Sequence, residues 1–166
     1  MSASEQRPRN AEDADVEAIA RIWHAGWRDA HADILPEDLA RHRTLERFRE
    51  RARNLLADTR AVGPPGAPVA FFMLKDDELY QFYVDAGARG TGVASALIAD
   101  AEARLAAQGV ATAWLDCAIG NARAARFYEK SGWRRSGTVV STLATPDSVF
   151  AVDVWRYEKE LLRGCR

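Results

Sequence analysis

One stretch near the middle of the chain limits its fold more than any other. Residues 79–84 (Leu-Tyr-Gln-Phe-Tyr-Val) form a β-rich run, and Arg89-Gly90-Thr91-Gly92-Val93-Ala94-Ser95 is a glycine-containing turn. Val93, Leu97, Ile98, Ala101 and Leu105 then recur at helical spacing up to about Gln108. Gly109 suits the residue that closes such a helix, and residues 110–117 are again β-rich. Strand, helix and strand in that order make a β-α-β unit, which requires two parallel strands. The turn also has chemical meaning. The first amides of a helix lack partners inside the helix and carry partial positive charge, and glycine lets backbone N–H groups approach an anion closely. A phosphate or pyrophosphate is the ligand this turn suits.

The flanking segments do not repeat the unit. Asn10 and Asp13 mark a helix start, and Val16, Ile19, Ala20, Ile22 and Trp23 predict an amphipathic helix over residues 11–26 with Gly26 as its stop. Residues 28–38 read as irregular. Thr44 caps a second helix whose apolar face is Leu45, Phe48, Ala52, Leu55 and Leu56. Residues 59–62 and 69–74 are short strands about the Gly63-Pro64-Pro65-Gly66-Ala67-Pro68 connection, and Lys75-Asp76-Asp77-Glu78 is a turn. Asn121 opens a short helix to Lys130, stopped by Gly132, and strands near 138–143 and 149–158 follow. One β-α-β unit among antiparallel hairpins predicts a mixed α/β (α+β) fold. A chain of 166 residues, 48% apolar, fits one domain over 1–166 with a core from about 9 to 160.

Composition narrows the function. A net charge of −1 argues against a dedicated nucleic-acid partner. The longest apolar run, residues 69–74, is far short of the roughly 20 residues a membrane helix needs. Residues 1–10 are polar and lack the apolar segment of a secretory signal. Cys117 and Cys165 make neither a disulfide framework nor a metal cluster. The expectation is a cytoplasmic protein with no membrane, nucleic-acid or metal partner. Charge is unevenly placed: residues 10–40 hold eight acids and two arginines, and residues 41–60 hold seven arginines and three acids. This reads either as two solvated helix faces or as the rim of a site for a charged substrate.

Two kinds of protein use such a phosphate turn. Gly90-x-Gly92 fits the first half of the dinucleotide-binding pattern, and Asp116, 24 residues after Gly92, stands near the place of its ribose-binding acid. Ser95 replaces the third glycine, however, and only about 75 residues follow, too few for a doubly wound sheet. The other resemblance is more extensive. Arg89-x-x-Gly92-x-Ala94 resembles the (Gln/Arg)-x-x-Gly-x-(Gly/Ala) signature of the GCN5-related N-acetyltransferases, the GNAT superfamily. Phe82-Tyr83-Val84-Asp85 fits the fourth strand of that family. Asn121-x-x-Ala124-x-x-Phe127-Tyr128-x-x-x-Gly132-Trp133 is similar to its Asn-x-x-Ala-x-x-(Phe/Leu)-Tyr-x-x-x-Gly-(Phe/Trp) motif. Ala94 in place of the commoner glycine, and Ala86 where a proline often follows the fourth strand, are departures.

The resemblance implies a mostly antiparallel sheet with a splayed parallel strand pair, flanked by helices, and acetyl-CoA in the cleft of the splay. The backbone of Phe82, Tyr83 and Val84 would bond the pantetheine arm as an extra strand does. The amides of Arg89, Gly90, Thr91, Gly92, Val93 and Ala94, with Ser95, would hold the pyrophosphate. Asn121 would bond the pantetheine side or cap its helix. Tyr128 would act as general acid toward the leaving thiolate. Glu78 is the first candidate for the general base, Asp116 the second, and His24 and His31 the third. In this fold the first two helices and their connection shape the acceptor site. Here Trp27-x-x-Ala30-His31-x-Asp33-x-x-Pro36 resembles a Trp-x-x-Ala-(Tyr)-x-(Gly)-x-x-Pro pattern of some bacterial members, with His31 and Asp33 at the bracketed positions. Trp27, His31, Tyr80, Asp33 and Trp155 are candidates to line the acceptor pocket, where aromatic rings and acids would suit a cationic amine. The implied activity is acetyl-CoA-dependent acetylation of a primary amine of a small molecule in a ternary complex, without an acyl-cysteine at Cys117. A protein or peptide acceptor, or a non-catalytic acetyl-CoA-binding regulatory domain, are the alternatives. A homodimer through the terminal strands is compatible with the family.

Overall fold

The computed structural model describes residues 2–161; Cys165 lies outside them. Seven strands form one sheet in the order β1-β2-β3-β4-β5-β7-β6. They are β1 (Arg9–Asn10), β2 (Thr59–Val62), β3 (Ala70–Lys75), β4 (Glu78–Val84), β5 (Thr112–Ala118), β6 (Arg134–Ala144) and β7 (Val149–Glu160). Every neighbouring pair is antiparallel except β4 and β5, whose single register pair is Glu78 with Trp114. The two strands are pinned at that end, where the Trp114 amide donates to the Asp77 carbonyl at 3.2 Å and its indole N–H to the Asp77 carboxylate at 2.9 Å. Beyond it they separate. The mixed sheet with a splayed parallel pair matches the expected class, and a doubly wound dinucleotide fold does not.

Five α-helices flank the sheet: α1 (Val16–His31), α2 (Glu37–Ala40), α3 (Leu45–Asn54), α4 (Val93–Ala107) and α5 (Ala122–Lys130). One core lies under α1 and α3, built on Trp23, Phe48, Phe71 and Met73. The other lies under α4 and α5, built on Phe72, Leu97, Leu105, Leu115 and Tyr157. Alternate residues of β3 feed the two sides, as the strand period requires. Thr44 caps α3 as expected, its hydroxyl accepting from the Arg47 amide at 3.2 Å.

Helix α1 departs from the sequence reading. It begins later, after a 3-10 turn over Asp13–Asp15, and runs through Gly26 to His31. Gly26 is therefore not a stop. A Cβ there would stand 2.5 Å from Cδ1 of Tyr83, so the glycine admits that ring against the helix. At the start of α1 the fully buried Asp15 carboxylate takes a two-pronged bond from Arg9 at 2.7 and 2.9 Å, with the Glu12 amide at 2.8 Å and the Gly66 amide at 2.9 Å. One carboxylate thus joins β1, the helix start and the β2–β3 connection.

A bulge lies in β4. Met73 pairs with Gln81 and Leu74 with Leu79, which leaves Tyr80 as the extra residue. Leu79 and Phe82 consequently pack on the α4 side, three residues apart, while Tyr80 and Tyr83 pack toward α1 and α3.

Candidate active site

The turn before α4 has the geometry of an anion cradle. Gly90 and Gly92 adopt φ of 77° and 87°, the left-handed region where glycine is favoured. Gly92 is the N-cap of α4, and a Cβ at either glycine would meet nothing within 4 Å, so the space above the turn is open. The Thr91 hydroxyl donates to the Ala88 carbonyl at 2.5 Å and fixes the loop. The first turn of α4, like that of α5, holds no acid, whereas α1 and α3 each begin with one and α2 with two. The positive end of α4 is thus left for a ligand. The Arg89 guanidinium lies 3.2 Å from Asp29 of α1, which also pairs with Arg123 of α5 at 3.2 Å.

From the splay a cavity of about 640 Å³ runs toward α1 and α3. Residues 80–84 of β4 have no register partner in β5, so their outward backbone groups lack a sheet partner among the described residues. Glu78, Phe82, Tyr83, Asn121 and Tyr128 line the cavity together with Trp27, His31 and Tyr80. Residues 140–144 of the β6–β7 hairpin line it from the opposite side. The structure therefore brings donor-side and acceptor-side candidates onto one lining, while Val84 and residues 89–95 stand outside it: residues 89–92 on the exposed turn, and Val93, buried in the core, with Ala94 and Ser95 in the first turn of α4. Asp33, Trp155 and His24 do not line it; Trp155 instead carries the Arg135 guanidinium 3.9 Å above its ring.

The titratable groups differ in what they offer. Burial, and then the nearby Asp116 charge, push the Glu78 carboxyl up to about 7. Asp116 itself is occupied, since Arg156 forks onto both its oxygens at 2.9 and 3.2 Å. His31 is pushed down to about 4 by burial. Its Nδ1 donates to the Trp27 carbonyl at 3.0 Å, which leaves Nε2 as a neutral acceptor. The Tyr128 ring is wedged among Phe82, Phe127 and Trp133, and burial drives its phenol well above the ordinary value, with Cys117 and Tyr83 adding to the rise. Cys117 is itself pushed up to about 11 by burial and stays a thiol. Asn121 caps α5, accepting from the Ala124 amide at 3.4 Å, and lines the cavity as well.

Among the lining side chains that sequence reasoning passed over are Arg43, Arg51, Lys75, Arg156 and the ring of Tyr83. Arg51 was visible only as one arginine in a basic run, although its place three residues after Phe48 puts it beside the apolar face of α3.

A profile of the Acetyltransferase (GNAT) family matches residues 16–133, well over half of the chain. The chain belongs to the GNAT acetyltransferase family. Uncharacterized N-acetyltransferases of Mycobacterium bovis and Mycobacterium tuberculosis are each 41% identical over 64 residues, which is 39% of this chain and 41% of theirs. The match thus spans less than half the length of these curated relatives. Among solved GNAT folds, a GCN5-related N-acetyltransferase from Rhodopseudomonas palustris superposes with a TM-score of 0.71 at 22% identity, covering 93% of this chain and 94% of that one. An N-acetyltransferase from Staphylococcus aureus gives 0.70 at 20% identity, covering 93% and 97%. The paia N-acetyltransferase from Thermoplasma acidophilum, solved with coenzyme A, gives 0.62 at 16%, covering 93% and 98%. Identities this low carry the fold alone. Among the described residues no helix is long and apolar enough to cross a membrane, and no cluster of His, Cys, Asp or Glu suits a metal ion.

Proposed function

We propose that this chain is an acetyl-CoA-dependent N-acetyltransferase acting on a primary amine of a small molecule, with both substrates bound at once. The observation that carries the reading is the shared cavity: Glu78 and Tyr128 face it together, between the open edge of β4 and the aromatic wall of α1. The donor fits the residues present. The open glycine turn and the unneutralised end of α4 suit a pyrophosphate, and the unpaired edge of β4 suits an amide-bearing arm. When bound, acetyl-CoA supplies an acetyl group activated as a thioester. Walls from α1, β4 and the β6–β7 hairpin favour a small amine over a folded protein surface.

Glu78 takes the proton that an incoming ammonium must lose before its nitrogen has a lone pair, and a carboxyl near 7 is half-ionised at neutral pH. The Tyr128 hydroxyl opens to the cavity and stays protonated. Because its pKa lies above that of an ordinary thiol, about 8.5, handing its proton to a departing thiolate is uphill. Its contribution is a hydrogen bond to the sulfur, and the thiolate collects the second proton of the attacking nitrogen. Cys117, protonated and buried, is a poor nucleophile, which supports direct transfer.

The test pairs calorimetry with a free-thiol release assay over a panel of small amines and peptides. Acetyl-CoA should bind the wild type, Gly92→Trp should lose that affinity, and small amines should outpace peptides. Unchanged affinity in Gly92→Trp overturns the loop assignment, and NADH binding without coenzyme A binding overturns the donor. Faster turnover of peptides overturns the small-molecule acceptor.

A further inference from the structure

We propose that the acceptor amine also carries an oxyanion, in the simplest case the carboxylate of an amino acid, and that Arg43 and Arg51 hold it. The proposal rests on reading the α1–α3 side of the cavity as the acceptor arm.

Arg51 comes from α3 and Arg43 from the turn before it; both are half-buried and both line the cavity. The Arg51 guanidinium lies 4.3 Å from the Trp23 ring centroid, and its Nη2 donates to the Tyr80 hydroxyl at 2.9 Å. A ring on one face and a hydroxyl at one prong fix its orientation and leave other N–H groups of the fork for a ligand. Arg43 is close enough to Arg51, Tyr80 and Tyr83 to feel each of them. Burial first, and then the Arg51 charge, hold its pKa below the ordinary guanidinium value.

Among the described residues neither guanidinium has a carboxylate partner. Other arginines of the same basic segment do: Arg41 pairs with Asp38, Arg47 with Glu50, and Arg49 with Glu17 and Glu46. Two cations brought together on a partly dry wall repel one another, and an oxyanion between them relieves that repulsion. Planar guanidinium forks are the groups that take carboxylates or phosphonates through paired N–H bonds. The wall as a whole leans the same way. It presents Arg43, Arg51, Lys75 and Arg156 against Glu78 and Asp116, and Arg156 is already matched by Asp116. The acids of residues 10–40, read either as solvated or as the rim of a site for a charged substrate, do not line the cavity, and several are paired elsewhere: Asp15 with Arg9, Glu17 with Arg49, Asp29 with Arg89 and Arg123. Glu78 stands on the same lining, two residues before Tyr80. A small molecule with its oxyanion on the arginine pair can therefore turn its amine toward the base.

The experiment measures thiol release from acetyl-CoA with matched acceptors: amino acids against their amides and decarboxylated amines, and aminoalkylphosphonates against the parent amines. A hydrogen bond to a charged group contributes about 1.5–3 kcal/mol, so the oxyanion member should have a kcat/KM about tenfold or more higher. Arg43→Gln and Arg51→Lys should each raise its KM about tenfold and move the KM of the neutral member little. Arg43 makes no side-chain hydrogen bond to a described residue, so its variant should fold; Arg51→Lys keeps the charge and loses the fork. Neutral members used as well as their charged partners overturn the proposal. So does a KM rise shared by both members, the outcome expected of a merely structural brace. A protein that binds acetyl-CoA by calorimetry yet turns over no oxyanion-bearing amine also overturns it, whereas failure to bind acetyl-CoA fails the donor reading instead. The ranking of carboxylates against phosphonates identifies the oxyanion.

Discussion

The Glu78 carboxyl should set the acid limb of the pH profile. With its pKa near 7, half of it is ionised at pH 7 and about one part in a hundred at pH 5. For an acceptor whose amine titrates far above this range, kcat/KM should therefore fall about 50-fold from pH 7 to pH 5, where an ordinary carboxyl near 4.3 would change it by less than about twofold. Glu78→Gln should lower kcat by about 10²–10⁴ and erase the limb. Asp116→Asn gives a second arm. It removes an anion that raises Glu78 and releases Arg156, which lowers it, so the limb should move to lower pH. Burial is the larger cause and remains, so the limb should stay above the ordinary carboxylate value. Stability carries the opposite signature. The folded state holds the Glu78 proton to higher pH than the unfolded chain does, so this residue costs stability as pH rises from the ordinary carboxylate value through 7. Glu78→Gln should therefore gain in Tm relative to wild type between pH 5 and pH 8. A limb that persists near 7 in Glu78→Gln, or stays unmoved in Asp116→Asn, would refute the assignment.

Tyr128→Phe removes a hydrogen bond to a developing thiolate, about 1.5–3 kcal/mol, and should lower kcat about 10- to 100-fold with little change in acetyl-CoA affinity; an unchanged kcat across the pH range contradicts the role. Gly26→Ala adds about 1 kcal/mol of helix propensity but sets a Cβ 2.5 Å from the Tyr83 ring. Overpacking of this kind costs about 1–3 kcal/mol, so urea denaturation should show net destabilisation, and a more stable variant would show that the ring is free to move. Asp15→Ala leaves Arg9 and the Gly66 and Glu12 amides without their acceptor, a loss of about 3 kcal/mol read as a lower urea midpoint. Burial opposes ionisation of Asp15, but its bonds to Arg9 and the two amides hold its pKa below the ordinary value. The stability it supplies is complete above that ordinary value and should be lost as pH falls through the lowered one; equal acid sensitivity in Asp15→Ala would count against it.

Local signals carried most of the fold. The period of Val93, Leu97, Ala101 and Leu105 gave α4, and the Thr44 and Asn121 caps gave the starts of α3 and α5, because these depend on neighbours within one turn. Gly26 failed as a helix stop because the reason for a glycine there is a ring 57 residues away. The bulge at Tyr80 left one trace, the three-residue spacing of Leu79 and Phe82, which a strict period of two does not produce. Of the residues that line the cavity, Glu78, Tyr128 and Asn121 were named as candidates from motif and position. Arg43 and Arg51 were not, since nothing local separates an arginine paired with a helix neighbour from one that reaches over Trp23 into a cavity.

The lone β4–β5 register pair has a mechanical consequence. The first four strands and the last three meet in the sheet register at Glu78 and Trp114 alone, and the rest of the seam is held by side chains: the core under α4 joins Phe72 of β3 to Leu115 of β5 and Tyr157 of β7, and Asp29 of α1 reaches Arg123 of α5. An extended segment that bonds to both free edges would act as a keystone, closing the sheet where its own strands do not. On the function proposed above, a donor arm seated there would brace both edges next to Glu78, which lies at the closed end of the gap. The order of arrival would then follow from the sheet: a donor seated first would set Glu78 in place for the amine that follows.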